Sequence, residues 1–170
     1  MNPPRPPLYL AGQTGSGKTA VALELAHRLA PVEIINADAF QVYRGLDILS
    51  AAPSEAERAL VPHHLFAVLS PTDDCDAAGF ARLAREKIDE VAIRALPLVV
   101  GGSGLYLKAI THGLAPTPKG DPVLREELAG LSHEVLVERY RTLDPEGAAR
   151  TNLRNRRYVT RNLEICLLTG

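Results

Sequence analysis

The sequence is short of several things, and each shortage removes a class of protein. It has two cysteines, Cys75 and Cys166, far apart and in no CxxC or Cys/His spacing. That argues against a disulfide framework and a cysteine zinc site, and it favours a reducing, cytoplasmic setting. No stretch offers about 20 uninterrupted apolar residues, so no membrane span and no membrane partner are expected. The Pro-rich opening has no apolar run of a secretory leader. Charge of one sign is also missing: 19 Lys+Arg face 20 Asp+Glu, a net of −1. Any nucleic-acid binding must therefore come from a local patch. Repeats and low-complexity tracts are absent beyond the first prolines. What remains is 170 residues with a hydrophobic fraction of 46%, enough for a core without staples.

The first two thirds alternate strand and helix. Leu8-Tyr9-Leu10-Ala11 reads as a buried strand that runs into a Gly-rich loop. Residues 18–29 follow as a helix with Val21, Leu25 and Leu29 on one face. Glu33-Ile34-Ile35-Asn36 reads as a second strand, 38–62 as a looser stretch, and 65–69 as a short third strand. A helix is expected over 77–95, with Phe80, Leu83, Ala84, Ile88 and Val91 on its apolar face. A clean β run at 97–100 and a helix over 103–112 complete the pattern of a parallel α/β sheet. After Gly113, the prolines 116, 118 and 122 and Gly120 read as a linker. Three helical pieces are expected beyond it, at 121–131, 132–142 and 155–168. The expected division is an α/β core over 1–114 and a small helical module over 115–170. Doubly wound nucleotide-binding sheets have about five or more strands, and only three or four can be read here. Gly170 also looks like a helix C-cap. The expectation is that a C-terminal portion returning to the core is missing.

Gly12-Gln13-Thr14-Gly15-Ser16-Gly17-Lys18-Thr19 matches G-x-x-x-x-G-K-[ST] between a strand and a helix. The glycines let successive N–H groups turn inward, the helix N-terminus adds its positive end, and Lys18 adds a point charge. The Thr19 hydroxyl can ligate a Mg²⁺ carried by the phosphates. The motif speaks for a bound polyphosphate or diphosphate, not for the bond that is broken. Asp38 follows the second strand at the edge where ligands of parallel sheets bind. It can serve as general base or as a water-mediated Mg²⁺ ligand, or merely cap a helix. Gln41 has the donor and acceptor faces that suit an adenine edge; a surface role is the plain alternative. The loop Val100-Gly101-Gly102-Ser103-Gly104 brings Ser103 to the same edge, or is simply a tight turn. No hydrophobic run ending in Asp resembles the Mg²⁺-holding acid of ATPases and GTPases. His63-His64 is not spaced as a metal pair. Arg150, Arg154, Arg156, Arg157 and Arg161 form a basic segment without an acid among them, with Tyr158 beside it. It suits RNA phosphates and base stacking, or is a solvated face paired to Glu126, Glu127 or Glu138.

Taken together, the phosphate loop, Asn-Ala-Asp-Ala-Phe-Gln-Val-Tyr-Arg-Gly-Leu-Asp-Ile, Val-Pro-His-His-Leu, Val-Gly-Gly-Ser-Gly-Leu-Tyr-Leu-Lys-Ala and the tail 155–165 resemble the tRNA dimethylallyltransferase family. The resemblance implies a nucleotide-kinase-like P-loop fold, a parallel sheet with helices on both faces, plus a helical insertion. It implies transfer of a dimethylallyl group from its diphosphate to N6 of the adenosine 3′ of the anticodon, with Mg²⁺ as cofactor and the tRNA anticodon stem-loop as partner; a monomer is expected. Gly12 to Thr19 would hold the diphosphate, with Lys18 and Thr19 in catalysis and Thr19 on the metal. Asp38 would be the base. Ala39, Phe40, Gln41 and Ser103, which stands where the family usually has Thr, would meet the target nucleotide. Arg125, Arg157, Tyr158, Val159, Thr160 and Arg161 would contact tRNA. An adenylate isopentenyltransferase, a small-molecule kinase and an inactive RNA-binding remnant are the alternatives.

Overall fold

In the computed structural model, which describes residues 3–170, four strands form one parallel sheet. They are β1 (Leu8–Ala11), β2 (Val32–Asn36), β3 (His63–His64) and β4 (Leu96–Gly101), in the order β1-β4-β2-β3. Register pairs Leu8 with Leu98, Ile34 with Leu98 and Ile34 with His63. The central strands β2 and β4 are buried almost throughout because both faces are covered; β2 buries Glu33 and Asn36 along with its apolar residues. On one face Val32, Ile34 and Leu98 pack with Ala22 and Ala26 of α1 (Lys18–Leu29). On the other, Ile35, Ala37 and Val99 pack with Phe80, Ala84, Ile88 and Val91 of α3 (Ala77–Ala92) and with Tyr106 and Ile110 of α4 (Gly104–His112). The expected α/β class with helices on both faces is what the chain forms.

Several local expectations need correction. Among the described residues β1 pairs only with β4 and forms a sheet edge, so Leu8 and Tyr9 are exposed rather than buried. The buried side of α1 is Ala22 and Ala26, with Leu25 partly buried against them as expected; Val21 and Leu29 face outward, because alanines let the helix lie close on the sheet. The third strand is His63–His64, not 65–69. Leu65 and Ala67 take positive φ, which breaks extended pairing; only Leu69 forms an isolated bridge, to Tyr43. The loose stretch 38–62 holds a one-and-a-half-turn helix, α2 (Glu55–Leu60), started by a Ser54–Glu57 capping box.

The chain divides into two compact units, the first ending at Leu114 and the second being Ala115–Gly170. The second contains α5 (Pro122–Ala129), α6 (His133–Leu143), α7 (Pro145–Arg150) and α8 (Arg156–Thr169). Each begins on a side-chain cap, from Asp121, Ser132, Asp144 and Asn155 respectively. α7 was not legible as a separate helix. The unit's core is Leu128, Leu136, Tyr140, Ala148, Val159 and Leu163, while Leu167 is half exposed. Among the described residues no helix is long and apolar enough to cross a membrane.

Candidate functional site

The site lies at the C-terminal edge of the sheet, where β1, β2 and β4 each end in a loop. The loop after β1 turns through Gly15 and Gly17 at φ of 79° and 83°, a region open to glycine at little cost. Gln13, Thr14, Gly15, Ser16 and Gly17 are exposed around it. Lys18 donates to the Gln13 carbonyl at 2.7 Å, which folds its ammonium back over the loop. Thr19 is half-buried in the first turn of α1. A Cβ on Gly12 would stand 2.9 Å from Ser16 Oγ, so this glycine keeps the loop tight.

Glycine 102 reports how the three loops meet. A Cβ built there would lie 2.9 Å from the Gly12 carbonyl oxygen, 3.7 Å from Asp38 Oδ2 and 3.8 Å from Lys18 Nζ. The carboxylate of Asp38 and the ammonium of Lys18 thus flank one small space beside the phosphate loop, which only a residue without a side chain leaves open. Its neighbour Gly101 is required for another reason. A Cβ there would sit 2.1 Å from the carbonyl oxygen of Ala37, the residue just past the end of β2.

The segment after β2 is held by side chains. Asn36, fully buried, accepts from the Asp38 amide at 2.8 Å. Ser103 accepts from the Ala39 amide at 2.9 Å instead of capping its own helix. Asp38 Oδ1 accepts from the Phe40 amide at 3.0 Å. Phe40 itself is 63% exposed. Gln41 donates through Nε2 to the Ser50 and Ala51 carbonyls, so its donor face is occupied within the loop and its oxygen is the group left for a ligand. Arg44 braces the loop by donating to the carbonyls of Ala67 and Val68. Asn36, Gly102 and Arg44 are the contributors that sequence reasoning missed. Gly102 carried a signal in the double glycine; Arg44's partners, and the Leu65 carbonyl that anchors Asn36, lie more than 20 residues away.

A second charge cluster, remote from this edge in strand position, fixes the start of β2. Glu33 accepts from Arg94 Nε and Nη2 at 2.8 and 2.9 Å and lies 2.6 Å from His64 Nε2. The Arg94 hydrogen bond holds the Glu33 carboxyl below the usual carboxylate range; burial opposes this, and His64 adds to it.

In the helical unit the expected RNA-contacting residues separate. Arg157 and Tyr158 are exposed, with no side-chain partner among the described residues, and Thr160 is half-buried. Val159 is fully buried in the unit's core, so it offers RNA no side-chain surface; its apolar chain is part of the packing. Arg125 and Arg161 are both bound to buried Glu164, at 2.8 and 2.5 Å. Arg161 also donates to the Pro118 carbonyl at 2.8 Å, and Glu164 accepts from the Asp121 amide at 3.0 Å. These two arginines are first of all structural partners of one carboxylate. Burial pushes the Glu164 carboxyl up, but the hydrogen bonds from Arg161, Arg125 and the Asp121 amide together outweigh it and hold it below the ordinary range.

A family model described as IPP transferase matches residues 41–170. The chain belongs to that family. It is 50% identical over 164 residues to a tRNA dimethylallyltransferase of Akkermansia muciniphila, covering 96% of this chain and 55% of the relative. It is also 50% identical over 163 residues to one of Anaeromyxobacter sp., covering 93% of this chain and 54% of the relative. Among solved structures it is similar to the full-length tRNA isopentenylpyrophosphate transferase of Bacillus halodurans, at 37% identity and a TM-score of 0.62, over 96% of this chain and 55% of that one. It is similar as well to a eukaryotic dimethylallyltransferase acting on tRNA, at 26% identity and a TM-score of 0.78, over 95% of this chain and 41% of that one. The chain spans about half the length of the curated relatives it matches.

Proposed function

We propose that this IPP transferase chain carries the diphosphate-binding and base-bearing part of a tRNA dimethylallyltransferase. The reaction joins N6 of the adenosine 3′ of the anticodon to the allylic carbon of dimethylallyl diphosphate. One C–N bond forms, one C–O bond breaks, the N6 proton leaves and diphosphate departs. The single observation that carries this reading is the meeting of Asp38 Oδ2 and Lys18 Nζ around Gly102, beside the phosphate loop.

Each group has a task that its chemistry suits. An exocyclic adenine amine is a weak nucleophile, because its lone pair is shared with the ring. A carboxylate that takes the proton as the bond forms makes attack easier, typically by 10²- to 10⁴-fold, roughly, for such catalysis. Asp38 Oδ1 is occupied by the Phe40 amide, so Oδ2 is the oxygen for that proton. Lys18 and the loop N–H groups other than those of Gly12 and Ser16, which donate to the Gly101 and Gln13 carbonyls, stabilise charge that develops on the departing diphosphate. The Thr19 hydroxyl is a hard oxygen donor in the first helical turn and fits Mg²⁺, an ion that takes few protein ligands and several phosphate oxygens. When bound, Mg²⁺ would neutralise diphosphate charge. Phe40 offers an exposed ring, and the Gln41 oxygen an acceptor, to a base lifted out of the anticodon stack. Arg157 and Tyr158 offer a cation and an aromatic ring to the RNA backbone and bases.

The test is a transfer assay with dimethylallyl diphosphate, Mg²⁺ and an anticodon stem-loop RNA, read by mass spectrometry of the RNA. A gain of one prenyl group, lowered at least about 100-fold by Asp38→Asn, supports the proposal. Prenylation of free AMP or ADP but not of the stem-loop would favour an adenylate isopentenyltransferase. RNA binding by a folded chain without transfer would leave it an RNA-binding remnant.

A further inference from the structure

We propose that Asn36 is a positioning residue for Asp38, acting through the backbone to aim the free carboxylate oxygen at the reacting amine. The inference rests on the transferase reading above and adds a residue to it.

Asn36 is the last residue of β2 and has no solvent exposure. A buried carboxamide is costly unless its donors and acceptor are bonded. Its bonds go to the catalytic loop and to one neighbour. Oδ1 accepts from the Asp38 amide at 2.8 Å, and Nδ2 donates to the Asp38 carbonyl at 3.2 Å and the Leu65 carbonyl at 3.0 Å. The amide orientation follows from these partners: one N–H needs an acceptor and two carbonyls need a donor, so the reverse orientation would fail at all three.

This clamps both peptide planes that flank Asp38. Three consecutive amides, of residues 38, 39 and 40, are then held by Asn36, Ser103 and Asp38 itself. With Oδ1 tied to the Phe40 amide, the carboxyl plane is fixed, and Oδ2 is left on the side of Gly102 and Lys18. The bond to Leu65 anchors the clamp on a second loop. Leu65 and Ala67 sit at φ of 63° and 51°, conformations that persist in non-glycine residues only where neighbours over-determine them. Here they do: the amides of Ala67, Val68 and Leu69 donate to the carbonyls of Gln41 and Val42, and Arg44 binds the carbonyls of Ala67 and Val68. Asn36 therefore joins the base to a second, braced loop.

Asn36→Asp is the decisive variant, because it keeps the shape and the acceptor but sets an oxygen against two carbonyls. Asn36→Ser keeps an acceptor for the Asp38 amide without that repulsion. At a temperature where every variant is folded, Asn36→Asp should lower kcat by about 10- to 100-fold, the scale of a misplacement near 1 Å. KM for dimethylallyl diphosphate should stay within about twofold, since the phosphate loop is untouched, and Asn36→Ser should recover part of the rate. In an Asp38→Asn background the Asn36 changes should have no further effect on the residual rate, because they act only through that carboxylate. Wild-type kcat in Asn36→Asp, or the same loss in the Asp38→Asn background, would overturn the proposal. Absence of transfer by the wild-type chain would overturn the transferase reading instead. The clamp is then read by amide hydrogen exchange: loss of protection at Asp38 and Ala39, with Ile34 and Ile35 unchanged, supports it. Unchanged exchange at 38 and 39, or equal loss along β2, refutes it.

Discussion

Replacing Glu164 by Gln tests whether one carboxylate holds the helical unit together. The side chain is 1% exposed and receives Arg161 Nη1 at 2.5 Å, Arg125 Nε at 2.8 Å and the Asp121 amide at 3.0 Å. A unit charge pair near 3 Å is worth about 5 kcal/mol of attraction at an effective dielectric of about 20, before desolvation is subtracted. Burial of the carboxylate takes back several kcal/mol of that. The arginines are 57% and 33% exposed, so once unpaired they recover much of their hydration. The net cost of Glu164→Gln should therefore fall below the 3–5 kcal/mol of a wholly buried pair, at roughly 2–3 kcal/mol. In a small domain about 1 kcal/mol moves Tm by roughly 4–8 °C, so the helical unit should melt at least about 8 °C lower. Thermal unfolding followed by far-ultraviolet circular dichroism checks this. The sign with pH is also set. The Glu164 carboxyl sits below its ordinary value of 4.5 in the folded chain. Its contribution is present above that value and is lost as pH falls through the lower folded pKa. Glu164→Gln should flatten this acid limb. A Tm within about 3 °C of wild type at neutral pH, with the acid limb unchanged, would refute the reasoning.

Gly101→Ala should cost about 3 kcal/mol or more in urea unfolding, because its Cβ would meet the Ala37 backbone at 2.1 Å. Gly102→Ala, with its Cβ between Gly12, Asp38 and Lys18, should instead lower prenyl transfer far more than stability. Glu33→Gln should reduce the acid sensitivity of the α/β unit: the Glu33 carboxyl is held low first by Arg94, so its contribution is present above 4.5 and is lost as pH falls through the folded pKa. Arg157→Ala should weaken stem-loop binding and reduce the salt slope of log K by about 0.7–0.9, whereas Arg156→Ala should lower Tm with the slope unchanged.

What could be read in advance was local or periodic. The phosphate loop announces itself through glycine spacing, and the alternation of strand and helix survives nearly intact. The errors fall where a distant partner decides. Residues 65–69 have strand composition, yet Asn36 and Arg44 strap them to another loop with Leu65 and Ala67 at positive φ. In α1 the period holds and the face is shifted: Leu25 packs on the core as expected, but Ala22 and Ala26 allow a close approach that turns Val21 and Leu29 outward. α2 and α7 are too short for periodicity; only their caps, Ser54 with Glu57 and Asp144 with Pro145, signal them. Asp38 was legible from its place after β2. Its clamp was not, since Asn36 completes it with a carbonyl 29 residues onward.

The arginine segment shows why charge density in a sequence overstates the charge available to a partner. Its five members look equivalent as letters. Arg156 spends its guanidinium on the carbonyls of Ala129 and Leu131, at 3.1 and 2.6 Å, where α5 ends and backbone acceptors are left over. Arg161 is committed to Glu164 and the Pro118 carbonyl. Arg150 pairs with Glu146, but both are largely exposed, and such a pair is worth at most about 1 kcal/mol, so a phosphate can compete for it. Arg154 and Arg157 have no side-chain partner among the described residues. Arg150, Arg154 and Arg157 are thus the members left to respond to the RNA backbone of the proposed function, with Tyr158 beside them, while Arg156 and Arg161 brace the helical unit. The segment needs both kinds of arginine: a cation on an unanchored helix would lose, in ordering entropy, part of what its phosphate contact contributes.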